Sequence, residues 1–384
     1  MNSFVYSLPV KVYFGKGMLC TALEQELKNV GANIMLAYGG GSIKRNGIYD
    51  EVIEKLKSMN KNVFEFSDIM SNPTYQKVQE GAKMAKEKHI DFILAVGGGS
   101  VIDCCKIISA QAKLDQDIWE LEFKYNQLPS QFIPMGAIVT ASGTSAEMNN
   151  GAVITHEELK VKTGIWGAYA SFAVLDPSYT LTVPFSQVIS GAFDTLSHAM
   201  ETYFGKNECV SDEISETIMR NTIFNIRKLM SEPMDLKARS ELMWDSAMAE
   251  NGLLKLGKVT DFQAHQIEHQ LGALTNCNHG QGLAVIHPVL YRYIYKGNLA
   301  QFKRYAVEVW NVDEKGLSDE AVALKGIEKL SEFIKEIGLP TSLSQMGIRD
   351  INILKRVADS TNISAGCCQK LTAHDIYMIL KECL

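Results

Sequence analysis

The stretch FILAVGGGSVIDCCKIISAQA, residues 92–112, carries the pattern that decides the fold. Phe92–Val96 predicts a buried strand, Gly97–Ser100 a turn, and Val101–Ala112 a helix. Glycines let the backbone of such a turn approach a bulky anion, and the first N–H groups of the following helix are free to bind phosphate. We therefore expect a nucleotide phosphate at this turn.

The same strand–turn unit occurs earlier in the chain, where Asn33–Tyr38 precedes Gly39–Ser42. Alternation of strands and helices predicts a parallel sheet covered on both faces, which binds nucleotides at the carboxyl ends of its strands. Neither the Rossmann nor the P-loop glycine pattern is present. Further strands are predicted at Asn62–Phe66, Phe132–Thr140 and Phe172–Leu175, and helices at Gly47–Met59 and Thr74–Lys88.

Two segments near the second turn have alternative interpretations. Ser100 and Asp103 either line the phosphate site or form a capping box that only satisfies the helix N-terminus. The segment Thr140–Glu147 is rich in hydroxyl and small side chains. It either binds pyrophosphate or the nicotinamide amide, or it is an ordinary polar loop.

The second half of the chain has a helical pattern. We predict an α/β dinucleotide-binding domain at residues 1–184 and an all-α domain at 185–384, with the active site in the cleft between them. The predicted helices are Ser186–Tyr203, Ser211–Leu229, Ala238–Asn251, Ala264–Leu274, Ala321–Ile337 and Ala373–Cys383.

Metal-ligating side chains are concentrated in two short windows of this helical half. Asp194 and His198 are four residues apart, as are His265 and His269, so each pair shares one helix face. His279 follows ten residues later. Mixed carboxylate and imidazole ligands suit iron(II) or zinc. Each pair alone is also compatible with an ordinary surface pair, but together the five residues predict a metal site.

Composition excludes several other classes. The 384 residues are 46% hydrophobic and 21% charged, with a net charge of −6 and no basic block, so we expect no nucleic-acid partner. No apolar run is long enough for a membrane span, and no secretory leader is evident. Eight scattered cysteines fit a reducing compartment, so we predict a cytoplasmic protein.

Five segments, in order, resemble the iron-containing (group III) alcohol dehydrogenases. A sixth segment, AYGGGSIKRNGIYDEV (37–52), resembles the butanol dehydrogenase and broad-range aldehyde reductase branch. The five are GGGSVIDCCK (97–106), TASGTSAE (140–147), VLDPSYTLTVP (174–184), DTLSHAMETY (194–203) and HQIEHQLGALTNCNHGQGLAVIHP (265–288).

The resemblance implies a hydride transfer between NAD(P)H and a primary alcohol or aldehyde such as butanol or butanal. It implies that His269 lies beside the metal and close to the nicotinamide. We expect His269 to act there as a catalytic proton relay, because an imidazole suits proton transfer near neutral pH. The implied metal ligands are Asp194, His198, His265 and His279, and the implied cofactor-binding residues are Gly40, Ser42, Asn72, Gly97, Gly98, Gly99, Ser100, Asp103, Thr140, Thr144 and Lys162.

Two departures from the family pattern bear on the cofactor and its loop. Gly40 stands where NAD-preferring relatives carry an acidic residue, which would bind the ribose 2′-OH and repel a 2′-phosphate. With Lys44 and Arg45 nearby, this glycine predicts NADP, although NAD remains possible. In TASGTSAE, Ser145 and Ala146 replace the more common glycine and serine.

Other functions stay open at this point. A glycerol-dehydrogenase-like or dehydroquinate-synthase-like enzyme would share the fold, a metal-dependent hydrolase would need no nucleotide, and a binding protein would have lost the chemistry. We also expect a homodimer, in which the strand Val10–Phe14 is a candidate edge for pairing.

Overall fold

The computed structural model describes residues 2–364 and 366–384. These residues form two compact units. One spans Ser7–Pro184, and the other contains Phe185–Leu384 together with the first residues of the chain. Within the described residues, none of the helices has the length and apolar character to cross a bilayer.

The first unit is built around a six-stranded sheet in which every neighbouring pair is parallel, with the order β1-β8-β5-β4-β2-β3. Strands β6 and β7 form a separate antiparallel hairpin. The strands are β1 (Lys11–Phe14), β2 (Asn33–Tyr38), β3 (Asn62–Phe66), β4 (Phe92–Gly97), β5 (Met135–Val139), β6 (Gly151–His156), β7 (Val161–Trp166) and β8 (Phe172–Leu175).

Helices accompany the strands of this sheet. They are α1 (Met18–Leu27), α2 (Ser42–Arg45), α3 (Ile48–Ser58), α4 (Tyr75–Glu87), α5 (Gly99–Gln111) and α6 (Ile118–Phe123). Leu23 of α1 and Leu56 of α3 are fully buried in one core cluster with Leu36 and Leu94 of the sheet. The predicted parallel sheet is therefore confirmed, and its strands β2 and β4 are buried over nearly their whole length.

The regular secondary structure in the described part of the second unit consists of α-helices and short 3-10 turns, with one isolated bridge. Its helices are α7 (Phe185–Tyr203), α8 (Val210–Ser231), α9 (Leu236–Ala249), α10 (Gln263–Thr275), α11 (His279–Ile294), α12 (Leu299–Glu308), α13 (Asp319–Glu336), α14 (Ile351–Ser360) and α15 (Ala373–Glu382). Helix α11 packs against both α7 and α10 in the core, and these three helices carry all the predicted metal ligands. The predicted fold class, α/β followed by all-α, is confirmed.

Candidate metal centre and nucleotide-binding turns

Three helices bring the predicted ligands together. Asp194 and His198 lie one turn apart on α7, His265 lies on α10, and His279 is the first residue of α11. The Oδ1 atom of Asp194 lies 3.5 Å from Nε2 of His198, 3.4 Å from Nε2 of His265 and 3.5 Å from Nε2 of His279. One carboxylate oxygen is thus the common neighbour of three imidazoles.

Glycine at position 280 lets α11 begin beside α7. A Cβ atom there would stand 2.2 Å from the carbonyl oxygen of Ser190, so no larger residue fits without a shift. The Asn278 side chain caps α11 by accepting from the backbone N–H of Gln281, and it also accepts from the Ser190 hydroxyl at 2.5 Å. These contacts hold His279 near Asp194.

The unpaired polar atoms at this centre fit a divalent metal. Asp194 Oδ1 and His265 Nε2 are buried and have no hydrogen-bond partner in the described part of the chain. Leaving such groups unsatisfied costs about 1–3 kcal/mol each. Ligands bound at about 2.1 Å in a tetrahedron are about 3.4 Å apart. That spacing agrees with the distances around Asp194, so the four residues are suited to holding one ion.

His269 lies beside this group. Its ring is stacked on that of His279, with centroids 5.4 Å apart, and its centroid is 6.0 Å from that of His265. The potential ligand atoms of Glu268, His269 and His279 lie within 4.8 Å of one another, as do those of Asp194, His198 and His265. The geometry alone therefore permits His269 either as a neighbour of the metal or as a ligand, and its relay role stays a prediction.

Three carboxylates behind the histidines were missed in the sequence. Glu201 contacts Nδ1 of His265, Glu268 contacts Nδ1 of His279, and Glu250 Oε2 lies 3.7 Å from Nδ1 of His198. A carboxylate at Nδ1 keeps the proton there and leaves Nε2 free for a metal. Helical spacing offered a signal for two of them: Glu201 is seven residues after Asp194, and Glu268 is three after His265.

Burial and neighbouring charges shift the pKa values of the candidate metal ligands. Burial raises the pKa of Asp194, but the neighbouring His198, His279 and His265 outweigh this effect and hold it below its usual value. Burial, with the positive charge of His265, lowers the pKa of His198 to about 4. Burial also lowers the pKa of His265, yet Glu201 and Asp194 raise it to about 10. A metal must therefore displace a proton from His265.

The second glycine turn and Thr140 lie at the carboxyl ends of the adjacent parallel strands β4 and β5. Gly97 ends β4, α5 begins at Gly99, and the backbone N–H of Thr140 donates to the Gly97 carbonyl at 3.0 Å. A Cβ atom at Gly99 would stand 2.3 Å from the Thr144 hydroxyl. The second glycine turn and the hydroxyl-rich segment are thus brought together, as expected.

The first glycine turn, Gly39–Ser42, is less closely packed than the second. Gly41 adopts the left-handed conformation, with φ of 84°, and precedes Ser42, the first residue of α2. A Cβ atom at Gly40 would meet no atom within 4 Å. Glycine at position 40 is therefore not required by packing, and an acidic side chain would find room there.

Asn72 and Lys162 are linked through the hairpin. Asn72 adopts the left-handed conformation, with φ of 54°, and precedes Pro73. The Pro73 carbonyl accepts from the backbone N–H of Thr155 at 2.9 Å, and Thr155 pairs with the buried Lys162 across the hairpin. The loop after β3, which contains Asn72, is thus hydrogen-bonded to the β6–β7 hairpin, which contains Lys162.

Of the two alternatives for Ser100 and Asp103, the capping box is not formed. Helix α5 begins earlier, after Gly98, and has no side-chain cap. Asp103 instead accepts from the backbone N–H of Val153 at 2.9 Å and lies 3.7 Å from the Lys106 ammonium. Its carboxylate is used to attach the hairpin to α5, so it is not available to the helix N-terminus.

Sequence comparison decides the family. Residues 9–177 match the iron-containing alcohol dehydrogenase profile, and residues 188–384 match the C-terminal profile of the same family. The chain belongs to the iron-containing alcohol dehydrogenase family. It is 40% identical to a probable NADH-dependent butanol dehydrogenase of Bacillus subtilis, with full coverage of both chains. It is 35% identical to the NADPH-dependent aldehyde reductase YqhD of Escherichia coli, over 91% of this chain and 90% of that protein.

Solved structures agree with this family assignment. The crystal structure of an NADH-dependent butanol dehydrogenase A from Thermotoga maritima is similar to this chain, with a TM-score of 0.94 and 35% identity. The similarity covers 100% of this chain and 99% of that one. The predicted family and its butanol dehydrogenase and aldehyde reductase branch are thus confirmed.

Proposed function

We propose that this protein reduces aldehydes such as butanal to primary alcohols, and catalyses the reverse oxidation, with NAD(P)H and a divalent metal. Its family makes it an oxidoreductase of the alcohol dehydrogenase and aldehyde reductase type. The observation that carries the proposal is the Asp194 carboxylate oxygen, buried without a hydrogen-bond partner in the described residues and 3.4–3.5 Å from three imidazole Nε2 atoms.

We propose Asp194, His198, His265 and His279 as the residues that hold the metal, iron(II) or zinc. When bound, a divalent metal polarises a carbonyl oxygen and nicotinamide supplies the hydride. Glu201 and Glu268 keep the proton of His265 and His279 on Nδ1, so that Nε2 faces the centre. His269 is proposed to move a proton to the substrate oxygen during aldehyde reduction.

The cofactor-binding residues remain proposals as well. Gly97–Ser100, with Thr140 and Thr144 packed against them, are proposed to hold the pyrophosphate. Gly40, Ser42, Asn72, Asp103 and Lys162 complete the proposed set. The preference for NADP stays a prediction, because relatives named for NADH and for NADPH are both similar to this chain.

A cytoplasmic location and a homodimer also belong to the proposal. None of the eight cysteines forms a disulfide in the described part of the chain, which supports a reducing compartment. Strand β1 lies at one edge of the six-stranded sheet, where it could pair with a second copy.

An oxidation assay tests the function. The metal-free protein is loaded with ferrous iron without oxygen, butanal is added, and initial rates of NADPH and NADH oxidation are compared. We expect oxidation that is abolished by a chelator. Reduction of NAD⁺ or NADP⁺ with glycerol, together with no oxidation of NADPH or NADH with butanal, would favour a glycerol-dehydrogenase-like enzyme. Absence of oxidation with metal bound would favour the hydrolase or dehydroquinate-synthase-like alternatives.

A further inference from the structure

A single carboxylate organises the surface next to the first glycine turn. Glu65 of β3 accepts from the Tyr38 hydroxyl at 2.5 Å and from the Tyr49 hydroxyl at 2.6 Å. It also pairs with the Lys44 ammonium at 3.0 Å. We call these four residues the Glu65 cluster.

The Glu65 cluster contains residues on both sides of the first glycine turn. Tyr38 is the last residue of β2, the turn Gly39–Gly41 follows it, and Lys44 lies on α2 directly after that turn. The Lys44 ammonium also lies over the Tyr49 ring, 4.5 Å from its centroid. The cluster therefore stands beside Gly40, the proposed ribose-facing position.

The carboxylate in this cluster is strongly acidic. Hydrogen bonds from Tyr38 and Tyr49, with the Lys44 charge, lower the pKa of Glu65 to about 2 although burial opposes the shift. The carboxylate is thus ionised at any pH at which the protein would work. It neutralises the positive charge of Lys44 on which the prediction of NADP binding partly rests.

We propose that Glu65 sets the choice between NADPH and NADH by holding the Lys44 ammonium and neutralising its positive charge beside the ribose 2′ position. This inference rests on the proposed function, because it requires that the adenosine ribose lies at the first turn. Glu65 is a positioning residue in this scheme and Lys44 is the group that would contact a 2′-phosphate. NADH has no 2′-phosphate, so its binding should depend much less on either charge than the binding of NADPH does.

The expected effect is a change in the ratio of the NADPH and NADH dissociation constants. Side chains of Lys44 and Glu65 are 46% and 41% exposed, so solvent screens their charges. Removing the negative charge should tighten NADPH binding by about 3- to 10-fold, the range for an exposed charge acting on a doubly charged phosphate. The NADH dissociation constant should change less than about 2-fold.

Binding to full-length protein tests the proposal. NADPH and NADH are titrated separately, and their dissociation constants are read from nicotinamide fluorescence. Glu65→Gln removes the charge but keeps an acceptor for the tyrosines. Glu65→Asp keeps the charge and should show the same ratio of NADPH and NADH dissociation constants as the unmodified protein. Glu26→Gln is the matched control, because Glu26 pairs with Lys11 at 2.8 Å and accepts from the Tyr13 hydroxyl at 2.5 Å, away from the glycine turn.

The ratio of the NADPH and NADH dissociation constants in each variant decides the proposal. A shift toward NADPH in Glu65→Gln but not in Glu26→Gln supports it, and loss of that shift in Glu65→Gln/Lys44→Met supports the part of Lys44. An unchanged ratio in Glu65→Gln, or a shift that survives Lys44→Met, overturns it. If the unmodified protein binds neither cofactor, the proposed function itself fails, which is a result distinct from an unchanged ratio.

Discussion

Replacing Glu201 by glutamine should weaken metal binding by switching the tautomer of His265. Glu201 is fully buried, and its Oε1 accepts from the backbone N–H groups of Ala264 at 2.7 Å and His265 at 3.3 Å. The oxygen of a glutamine must stay at these donors, so its NH₂ group faces Nδ1 of His265. Nδ1 then becomes an acceptor, and the ring proton moves to Nε2, where it blocks metal binding.

The loss should be large enough to measure directly. Removing an outer-shell partner of a metal-bound histidine lowers metal affinity by about 10- to 100-fold, which equals about 1.4–2.7 kcal/mol. Burial raises the pKa of Glu201, but His265 outweighs this effect and lowers it, so the native carboxylate is ionised and the substitution removes a charge-assisted hydrogen bond.

The assay is a competition between metal-free protein and a chromophoric chelator for Zn²⁺. Glu216→Gln is the matched control: Glu216 is also buried in the helical unit, but it pairs with Arg304 at 2.6 Å and accepts from Tyr203 at 2.8 Å. Urea unfolding reports any general loss of stability in both variants. The reasoning is refuted if Glu201→Gln binds zinc as tightly as the unmodified protein, or if Glu216→Gln loses the same affinity.

Three further predictions concern other parts of the molecule. His269→Ala should keep its metal while aldehyde reduction slows by about 10²- to 10⁴-fold, the usual size of a lost acid–base step. His265→Ala, in contrast, should lose metal and activity together. Metal analysis and initial rates on the same samples distinguish the two variants, and a His269→Ala variant without metal would contradict the ligand set. Gly99→Ala places a Cβ atom 2.3 Å from the Thr144 hydroxyl, so the free energy of unfolding measured in urea should fall by about 1–3 kcal/mol. Adding Thr144→Ala should partly restore it. An unchanged free energy of unfolding in Gly99→Ala would show that the turn adjusts. Burial raises the pKa of Glu147 to about 7 from 4.5, so the folded chain keeps a proton that the unfolded chain releases, and the free energy of unfolding should fall by about 3 kcal/mol as pH rises from about 4.5 to 7. Glu147→Gln should remove this fall, and an identical pH profile in that variant would contradict the shift.

Much of the sheet follows from local sequence. The predicted strands Asn33–Tyr38, Asn62–Phe66 and Phe172–Leu175 have the observed bounds. Strands of a covered parallel sheet are continuous apolar runs, and glycine turns mark their ends clearly. The metal centre is similarly accessible from sequence, because the four-residue spacing of Asp194 and His198 places both side chains on one helix face.

Other features depend on packing that no local pattern reveals. Helix α11 was not predicted, because nearly all its residues are buried and it contains Pro288 and two early glycines, so it lacks both polar periodicity and ordinary helix composition. The β6–β7 hairpin was also missed. Its position depends on distant contacts, such as the Lys106 ammonium donating to the Gly151 carbonyl at 2.6 Å.

The outer carboxylates show the same limit within the site. Helical spacing places Glu201 and Glu268 on the same helix face as a predicted ligand, but only the packing of α7, α10 and α11 shows that these two carboxylates face Nδ1 atoms. Glycine at position 282 contributes, since a Cβ atom there would stand 2.8 Å from Glu268 Cγ. The metal ligands can thus be predicted from local spacing, whereas the positions of the carboxylates behind them depend on tertiary packing.

The central claim is that one metal ion held by Asp194, His198, His265 and His279 supports aldehyde reduction. The most direct test is an anaerobic titration of the metal-free protein with ferrous iron, in which bound iron and the rate of butanal-dependent NAD(P)H oxidation are measured in the same samples. We predict that the rate rises in proportion to bound iron and levels off at one ion per chain, and that Asp194→Asn shows neither binding nor rate. A rate that is independent of bound iron, or an Asp194→Asn variant that still binds iron and reduces butanal normally, would contradict the claim.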